Sequence, residues 1–295
     1  MPEGHAISTA PVAAGAPTPR GGQGRIYRFD AARPERLRLA VTDVVDGFTS
    51  WRLASALARL DLKNRYRGSV LGPLWVTLST AAMLLGIGLL YGQLLGIALG
   101  EYLPYLAVSL VAWGVISGTV LDSCGAMIQA EGIVRQLRVP HSVHALRCAV
   151  RNAIVALHNL PLILLVFLVF GHWPGAEAIM VIPGLVLLGI NAVASCFLLG
   201  MVCARFRDIG QIVASVMQLA FFMTPVIWKP DQLRVGHVFL LLNPFYPLLE
   251  VVRGPLIEGG ASAGMWAAAV LVTLVHAGVA FAFFVRFRGR LAFWV

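Results

Sequence analysis

The sequence predicts an all-α integral membrane protein, and three observations carry that expectation. Of its 295 residues, 58% are hydrophobic and only 13% are charged, where a soluble domain carries about a quarter charged residues. Apolar tracts recur along the chain, each close to the ~20 residues a helix needs to cross the hydrocarbon core. The arginines gather in short runs on alternate loops between these tracts, which is the pattern of membrane topology. The net charge of +9 is therefore spread over loops rather than gathered on one face, and nucleic acid is not an expected partner.

Residues 1–30 come first. Met1 to Gly24 is rich in Ala, Gly and Pro and has no apolar core, so it reads as a disordered cytoplasmic tail and not as a signal peptide. Residues 31–70 read as a cytoplasmic and interfacial helix region. Within it, Arg52, Arg59 and Lys63 fall on one helical face, with Phe48, Trp51, Ala58 and Leu62 on an adjacent face. Leu53, Leu57 and Leu60 form a second apolar edge. A helix with such faces lies on the membrane surface with its outer edge packed on protein. The stretch DLKNRYRGSVLGPLW, Asp61 to Trp75, then passes from basic to apolar. Gly68 and Ser69 permit a sharp turn, and Pro73 suits the first turn of a helix. An interfacial helix here turns into a transmembrane one.

Residues 71–295 hold six expected spans: Pro73 to Ala98, Tyr105 to Ala126, Ala149 to Phe170, Ile179 to Val202, Ile209 to Trp228 and Met265 to Val285. Orientation follows from the arginines. Arg52, Arg59, Lys63, Arg65 and Arg67 precede the first span. Arg135, Arg138, Arg147 and Arg151 follow the second, Arg205 and Arg207 follow the fourth, and Arg286, Arg288 and Arg290 end the chain. The intervening loops GEYLP and GHWPGAE carry Glu101 and Glu177 and no arginine. Both termini are expected in the cytoplasm. Tyr102, Tyr105, Trp173 and Trp228 fall at the outer ends, where an aromatic belt belongs. Between the fifth and sixth spans, LLNPFYPLLEVVRGPLIEG is apolar but cut by Pro244, Pro247 and Pro255. Short re-entrant or interfacial helices in the outer leaflet fit this segment better than a plain loop.

Several chemistries are missing from the sequence. No GxxxxGK[ST] loop exists, so the chain has no phosphate cradle of its own. GxSxG and HExxH are absent as well, and no catalytic residue or metal site is expected. Cys124, Cys148, Cys196 and Cys203 include no CxxC pair and read as buried apolar fillers. His158 and His276 lie in spans, where interhelical hydrogen bonds are expected; His141 and His144 sit in the basic loop, and their spacing alone is weak evidence for a metal. Asp122 is the one acid within a span, close enough to its end to reach the interface. A proton-coupled transporter needs a relay of buried titratable groups, and none is present. A transporter with this profile draws its energy from another subunit. Neutral polar groups, Gln93, Asn152, Asn159, Asn191, Gln211 and Gln218, either join helices or, with Tyr91, Trp113, Phe221 and Phe222, line a path for a hydroxyl-rich polymer.

Four segments together resemble the ABC exporter permeases of the O-antigen and polysaccharide type, the Wzm-like group. They are DLKNRYRGSVLGPLW, EGIVRQLRVPHSVHALRCAVRNAI, ARFRDIGQIVASVMQLAFFMTPVIW and LLNPFYPLLEVVRGPLIEG. The likeness runs from about Val44 to the C-terminus. It implies a six-span subunit acting as a homodimer with two copies of an ATP-binding cassette subunit, which binds ATP and Mg while this chain holds no cofactor. The implied cargo is a lipid-linked glycan exported across the inner membrane. The loop from Glu131 to Pro140 would be the coupling helix. Glu131, Arg135 and Arg138 would meet the ATPase there, with Arg52, Arg59 and Lys63 on the interfacial helix. Arg65, Tyr66 and Arg67 would receive the phosphate-bearing headgroup, because a guanidinium binds phosphate oxygens as a fork. Anchoring to anionic lipid is the alternative for these arginines. Teichoic acid, capsule or another amphiphile are alternative cargoes, and a stand-alone flippase, a passive channel or a membrane enzyme are alternative classes.

Overall fold

The computed structural model describes residues 35–72, 74–136, 139–232, 240 and 242–294. The expected tail 1–30, Pro73 and Arg138 lie outside the described residues, as does the side chain of Arg135. All regular structure among the described residues is helical.

The interfacial region holds two helices rather than one, α1 (Glu35–Thr49) and α2 (Trp51–Arg65). The break has a local cause. Thr49 turns its hydroxyl back onto the Asp46 carbonyl at 2.9 Å, the side-chain competition that disfavours β-branched hydroxyls inside helices. Ala40, Asp43 and Gly47 form the buried stripe of α1, and Ala54, Ala58 and Leu62 that of α2. Small residues dominate both stripes, so the two helices lie close against the long helix His141–Phe170. Gly47 makes this plain: a Cβ there would sit 2.0 Å from the Ser142 hydroxyl. Arg52, Arg59 and Lys63 point away from protein, while Phe48, Trp51, Leu53 and Leu60 form an exposed apolar edge. Gly68 (φ +83°) and Gly72 (φ +52°) then turn the chain in the left-handed region, where only glycine is at ease.

Among the described residues five helices are long and apolar enough to cross a membrane, and the protein is a multi-pass membrane protein. They are α3 (Leu74–Leu95), α4 (Leu99–Ala126), α6 (His141–Phe170), α7 (Val181–Arg205) and α10 (Ala263–Phe287). The expected fifth span differs. Helix α8 runs only Ile209–Met223, about 22 Å at 1.5 Å per residue, short of the ~30 Å core. Pro225 sets that limit. It has no N–H to continue the ladder, and its ring drives Thr224 into an extended conformation (ψ 138°).

Helix α4 is the axis of the bundle, buried along most of its length and packed by α3, α6, α7, α8 and α9 (Phe245–Ile257). Gly88 on α3 admits it closely, since a Cβ there would collide with Leu103 at 2.3 Å. Two cores result. One gathers Tyr102, Leu106, Trp113, Leu188 and Leu249 around the first half of α4. The other gathers Met127, Cys148, Cys196, Phe197 and Phe284 at its arginine-rich end, where the short α5 (Glu131–Gln136) and α11 (Leu291–Trp294) also lie.

Helix α9 dips into the bundle. Its start, Pro244 and Phe245, reaches the level of Trp113, midway along α4, with the Phe245 and Trp113 rings edge-on at 5.8 Å. Its end approaches the far loops, where His172 Nε2 meets the Leu256 carbonyl at 3.1 Å. It enters the bundle as the expected re-entrant helix would. Every residue from Tyr246 to Pro255 is buried, which explains why the segment needs so many apolar residues.

Tyr102 and Tyr105 are not belt residues. Both are completely buried, and their hydroxyls donate to the carbonyls of Ile227 (2.8 Å) and Trp228 (2.9 Å). A buried phenol must find such a partner, and the extended chain after α8 has free carbonyls to offer. Trp173 remains exposed as expected. The four cysteines are buried and unbridged.

Candidate functional site

At the arginine-rich end, α2, α4 and α6 meet through one charge network. Asp61 on α2 accepts a two-pronged fork from Arg147, with Nε at 2.6 Å from Oδ2. Arg151, one turn further along α6, reaches Asp61 at 3.3 Å and Asp122 on α4 at 3.0 Å. Asn152 donates to the same Asp122 oxygen at 3.1 Å. Asp122 thus does not reach out to the interface. It is held inside by partners, because a carboxylate at that depth is costly unless paired and hydrogen-bonded.

The expected headgroup residues border this network. Arg65 lies 3.6 Å from Asp122 while its side chain stays half exposed. Arg67 is exposed, and its guanidinium has no ion pair or hydrogen bond among the described residues. Tyr66 caps α2 between them. Two guanidinium groups therefore stand at the turn into α3, one loosely paired and one open.

The expected coupling residues occupy two places. Glu131 begins α5, directly after the Ile128–Ala130 turn that ends α4. Arg52, Arg59 and Lys63 lie exposed along α2, and Arg52 rests against the neighbouring Trp51 ring at 5.8 Å.

A second joint ties α1 to the start of α6 and the end of α10. Asp43 is 3% exposed. Its carboxylate accepts from the amides of His141 (3.3 Å) and Ser142 (3.0 Å) and from Arg288 Nε (2.8 Å). Burial alone would raise its pKa, but the Ser142 amide and the Arg288 guanidinium outweigh it and hold the carboxyl below its ordinary value.

The expected path residues fall into two groups. Trp113 is buried under Phe221 (5.9 Å) and Phe245, and Tyr91 packs at the edge of the same core. Gln218 and Phe222 are exposed on α8, and with Gln211 and Ser215 they form one stripe at helical spacing. Nothing among the described residues covers it. Deeper in the bundle, His276 bonds Asn191 at 2.8 Å, and Asn191 bonds Thr273 at 2.7 Å. This is the expected interhelical link, bordering a cavity of about 260 Å³. His158 differs, turning its ring to the Ile154 carbonyl of its own helix at 2.7 Å. Among the described residues no cluster could hold a metal ion.

Sequence reasoning passed over Arg253. It is entirely buried and pairs with Glu250 one turn earlier. It also donates to the Tyr105 hydroxyl at 2.6 Å and to the Pro225 carbonyl. An acid and a base three residues apart in a Pro-rich apolar segment was the available signal.

The family model described as ABC-2 type transporter matches residues 52–257. An O-antigen export system permease protein, RfbA of Myxococcus xanthus, is 28% identical over 210 residues, covering 70% of this chain and 80% of its own. A protein of the same name from Klebsiella pneumoniae is 23% identical over 204 residues, covering 68% and 77%.

Proposed function

Because the chain belongs to the ABC-2 type transporter family, we propose that it is the transmembrane subunit of an ATP-driven exporter. Its cargo is a lipid-linked polysaccharide of O-antigen type, carried across the inner membrane. The two relatives named for O-antigen export support the cargo. The proposed assembly is a homodimer with two ATP-binding cassette subunits. Both termini are cytoplasmic, as the arginine-rich loops favour, and α8 serves as a short sixth crossing.

The observation that carries an export role is the stripe Gln211, Ser215, Gln218 and Phe222 on α8. Polar side chains facing lipid are costly, and in membrane bundles they turn toward a cavity or another helix. A second copy across this face would enclose a conduit lined by amides, a hydroxyl and aromatic rings, groups suited to an uncharged sugar chain. Arg65, Tyr66 and Arg67 would receive the charged headgroup beside it. Glu131 and its loop, with the basic face of α2, would take up the ATPase stroke. The Asp61, Arg147, Arg151 and Asp122 network would then carry displacement of α2 into α4 and α6 as one body.

Reconstitution tests this reading. Vesicles holding the chain together with an ATP-binding partner should translocate lipid-linked polysaccharide only with ATP, and the chain alone should hydrolyse none. Nucleotide turnover by a preparation free of any partner, or transport without ATP, would overturn it.

A further inference from the structure

A groove of about 440 Å³ lies between the first turn of α1 and the last turns of α10. Its walls are Leu37, Gly278, Phe281, Ala282 and Val285, and its charged groups are Arg36 and Arg286. We infer that this groove binds one anionic phospholipid from the leaflet at the arginine-rich end, with its phosphate between Arg36 and Arg286 and an acyl chain along α10.

Three observations point there. Arg36 and Arg286 come from opposite ends of the described chain yet line one cavity, and neither guanidinium has an ion pair or hydrogen bond among the described residues. Two cations sharing a groove repel, and an anion between them turns that repulsion into two charge-assisted bonds. The buried acid on the same helix as Arg36, Asp43, is already taken by Arg288. The rest of the lining is apolar. Gly278, Phe281, Ala282, Val285 and Arg286 follow one face of α10, a helix that crosses the membrane. That face runs about 12 Å at 1.5 Å per residue, which is the reach of the first part of an acyl chain. Gly278 opens the groove at its inner end, since a Cβ there would meet nothing within 4 Å. An amphiphile with a phosphate at one end and a hydrocarbon chain at the other matches this order of groups. A soluble anion would leave the apolar walls unused, and a zwitterionic lipid would bring its own cation against two arginines. The site is independent of the proposed cargo, because neither Arg65 nor Arg67 lines it.

The full chain, purified in detergent, is titrated with phosphatidylglycerol or phosphatidylcholine while its melting temperature and the lipid retained in native mass spectra are followed. Phosphatidylglycerol should raise the melting temperature and remain bound at one copy per chain; phosphatidylcholine should do neither. Arg36→Gln and Arg286→Gln should each weaken retention about tenfold, the effect of one charge-assisted bond. Gly278→Leu keeps both charges and its Cβ meets nothing within 4 Å, yet it should abolish retention by filling the groove. Equal effects of the two lipids, or unchanged retention in Arg36→Gln/Arg286→Gln or in Gly278→Leu, would overturn the proposal. So would displacement of the bound lipid by a polyprenyl pyrophosphate at lower concentration than phosphatidylglycerol, since the groove would then belong to the cargo.

Discussion

The Arg253 guanidinium lies over the Tyr105 ring, 4.4 Å from its centroid, while also donating to the Tyr105 hydroxyl. Ring face and hydroxyl act together on one buried cation. The same hydroxyl holds the Trp228 carbonyl and Arg253 holds that of Pro225. The pair thus fixes the extended turn after α8 to both α4 and α9. Without it, the chain between α8 and α9 would present unpaired carbonyls in an apolar interior.

Removing either partner should be costly in unequal measure. Arg253→Ala leaves Glu250 buried without its counter-charge and should destabilise the protein by about 3–5 kcal/mol. Tyr105→Phe keeps the ring and loses the hydroxyl bonds, a loss of about 1–2 kcal/mol. Thermal unfolding in detergent measures both. Equal melting temperatures for Arg253→Ala and the parent protein would contradict the role given to this cluster.

Asp43 makes a pH-dependent joint. Its folded pKa lies below the ordinary 3.8, so its contribution is complete above that value and is lost as pH falls through the lower, folded one. Asp43→Asn should therefore be less stable than the parent by about 1–3 kcal/mol at neutral pH. The gap should close on acidification below 3.8. Urea titrations of both proteins across that range decide it, and a gap that widens toward low pH would show that other groups hold α1 in place.

The long helices and the glycine turns into α3 were legible because hydropathy and glycine chemistry are local signals. The partners of Asp122 were not, since Arg151 and Arg65 reach it from helices 29 and 57 residues away in sequence, and charge patterning along one chain cannot pair them. Tyr105 looked like a belt residue for the same reason. An aromatic near a span end reads alike whether its hydroxyl meets water or a buried carbonyl. The early end of α8 was readable in principle from Pro225, but the apolar run Val226, Ile227, Trp228 continues the hydropathy signal past the last helical turn.

Reversing the charge at Arg135 and Arg138 should uncouple transport while leaving the protein inserted and folded. Arg135 belongs to the short α5 and Arg138 follows it in a polar stretch of the sequence, where substitutions are usually within about 0.5 kcal/mol of neutral. Export and co-purification of the ATP-binding partner are the readouts. Normal export by the double variant with its partner still attached would remove these residues from the docking surface.

The α8 stripe predicts a pattern of water access. On a cysteine-free background, single cysteines at Ser215 and Gln218 should react with a charged thiol reagent, and one at Leu219, off the stripe, should not. A polymer conduit must be wetted to pass sugar hydroxyls, whereas a lipid-facing helix excludes charged reagents at every position. Uniform protection of all three would place α8 against lipid and dispose of the conduit at this face.

Arg65 and Arg67 allow recognition to be separated from anchoring. A phosphate or pyrophosphate headgroup sits at the depth of the turn into α3, where Arg67 is open and Arg65 shares Asp122 at 3.6 Å. That separation is long for a fork, so Arg65 can exchange its acid for a phosphate at little loss. Anchoring to anionic lipid needs only charge, about 1 kcal/mol for either lysine or arginine. Recognition by a planar fork is lost in lysine, which offers a point charge. Arg65→Lys and Arg67→Lys should therefore leave membrane insertion unchanged and weaken the apparent affinity for lipid-linked glycan by about tenfold, the worth of one such bond. Transport assays over a range of substrate concentration give that number. If both variants export at the parent rate with the parent affinity, the turn serves as an anchor and the headgroup is received elsewhere.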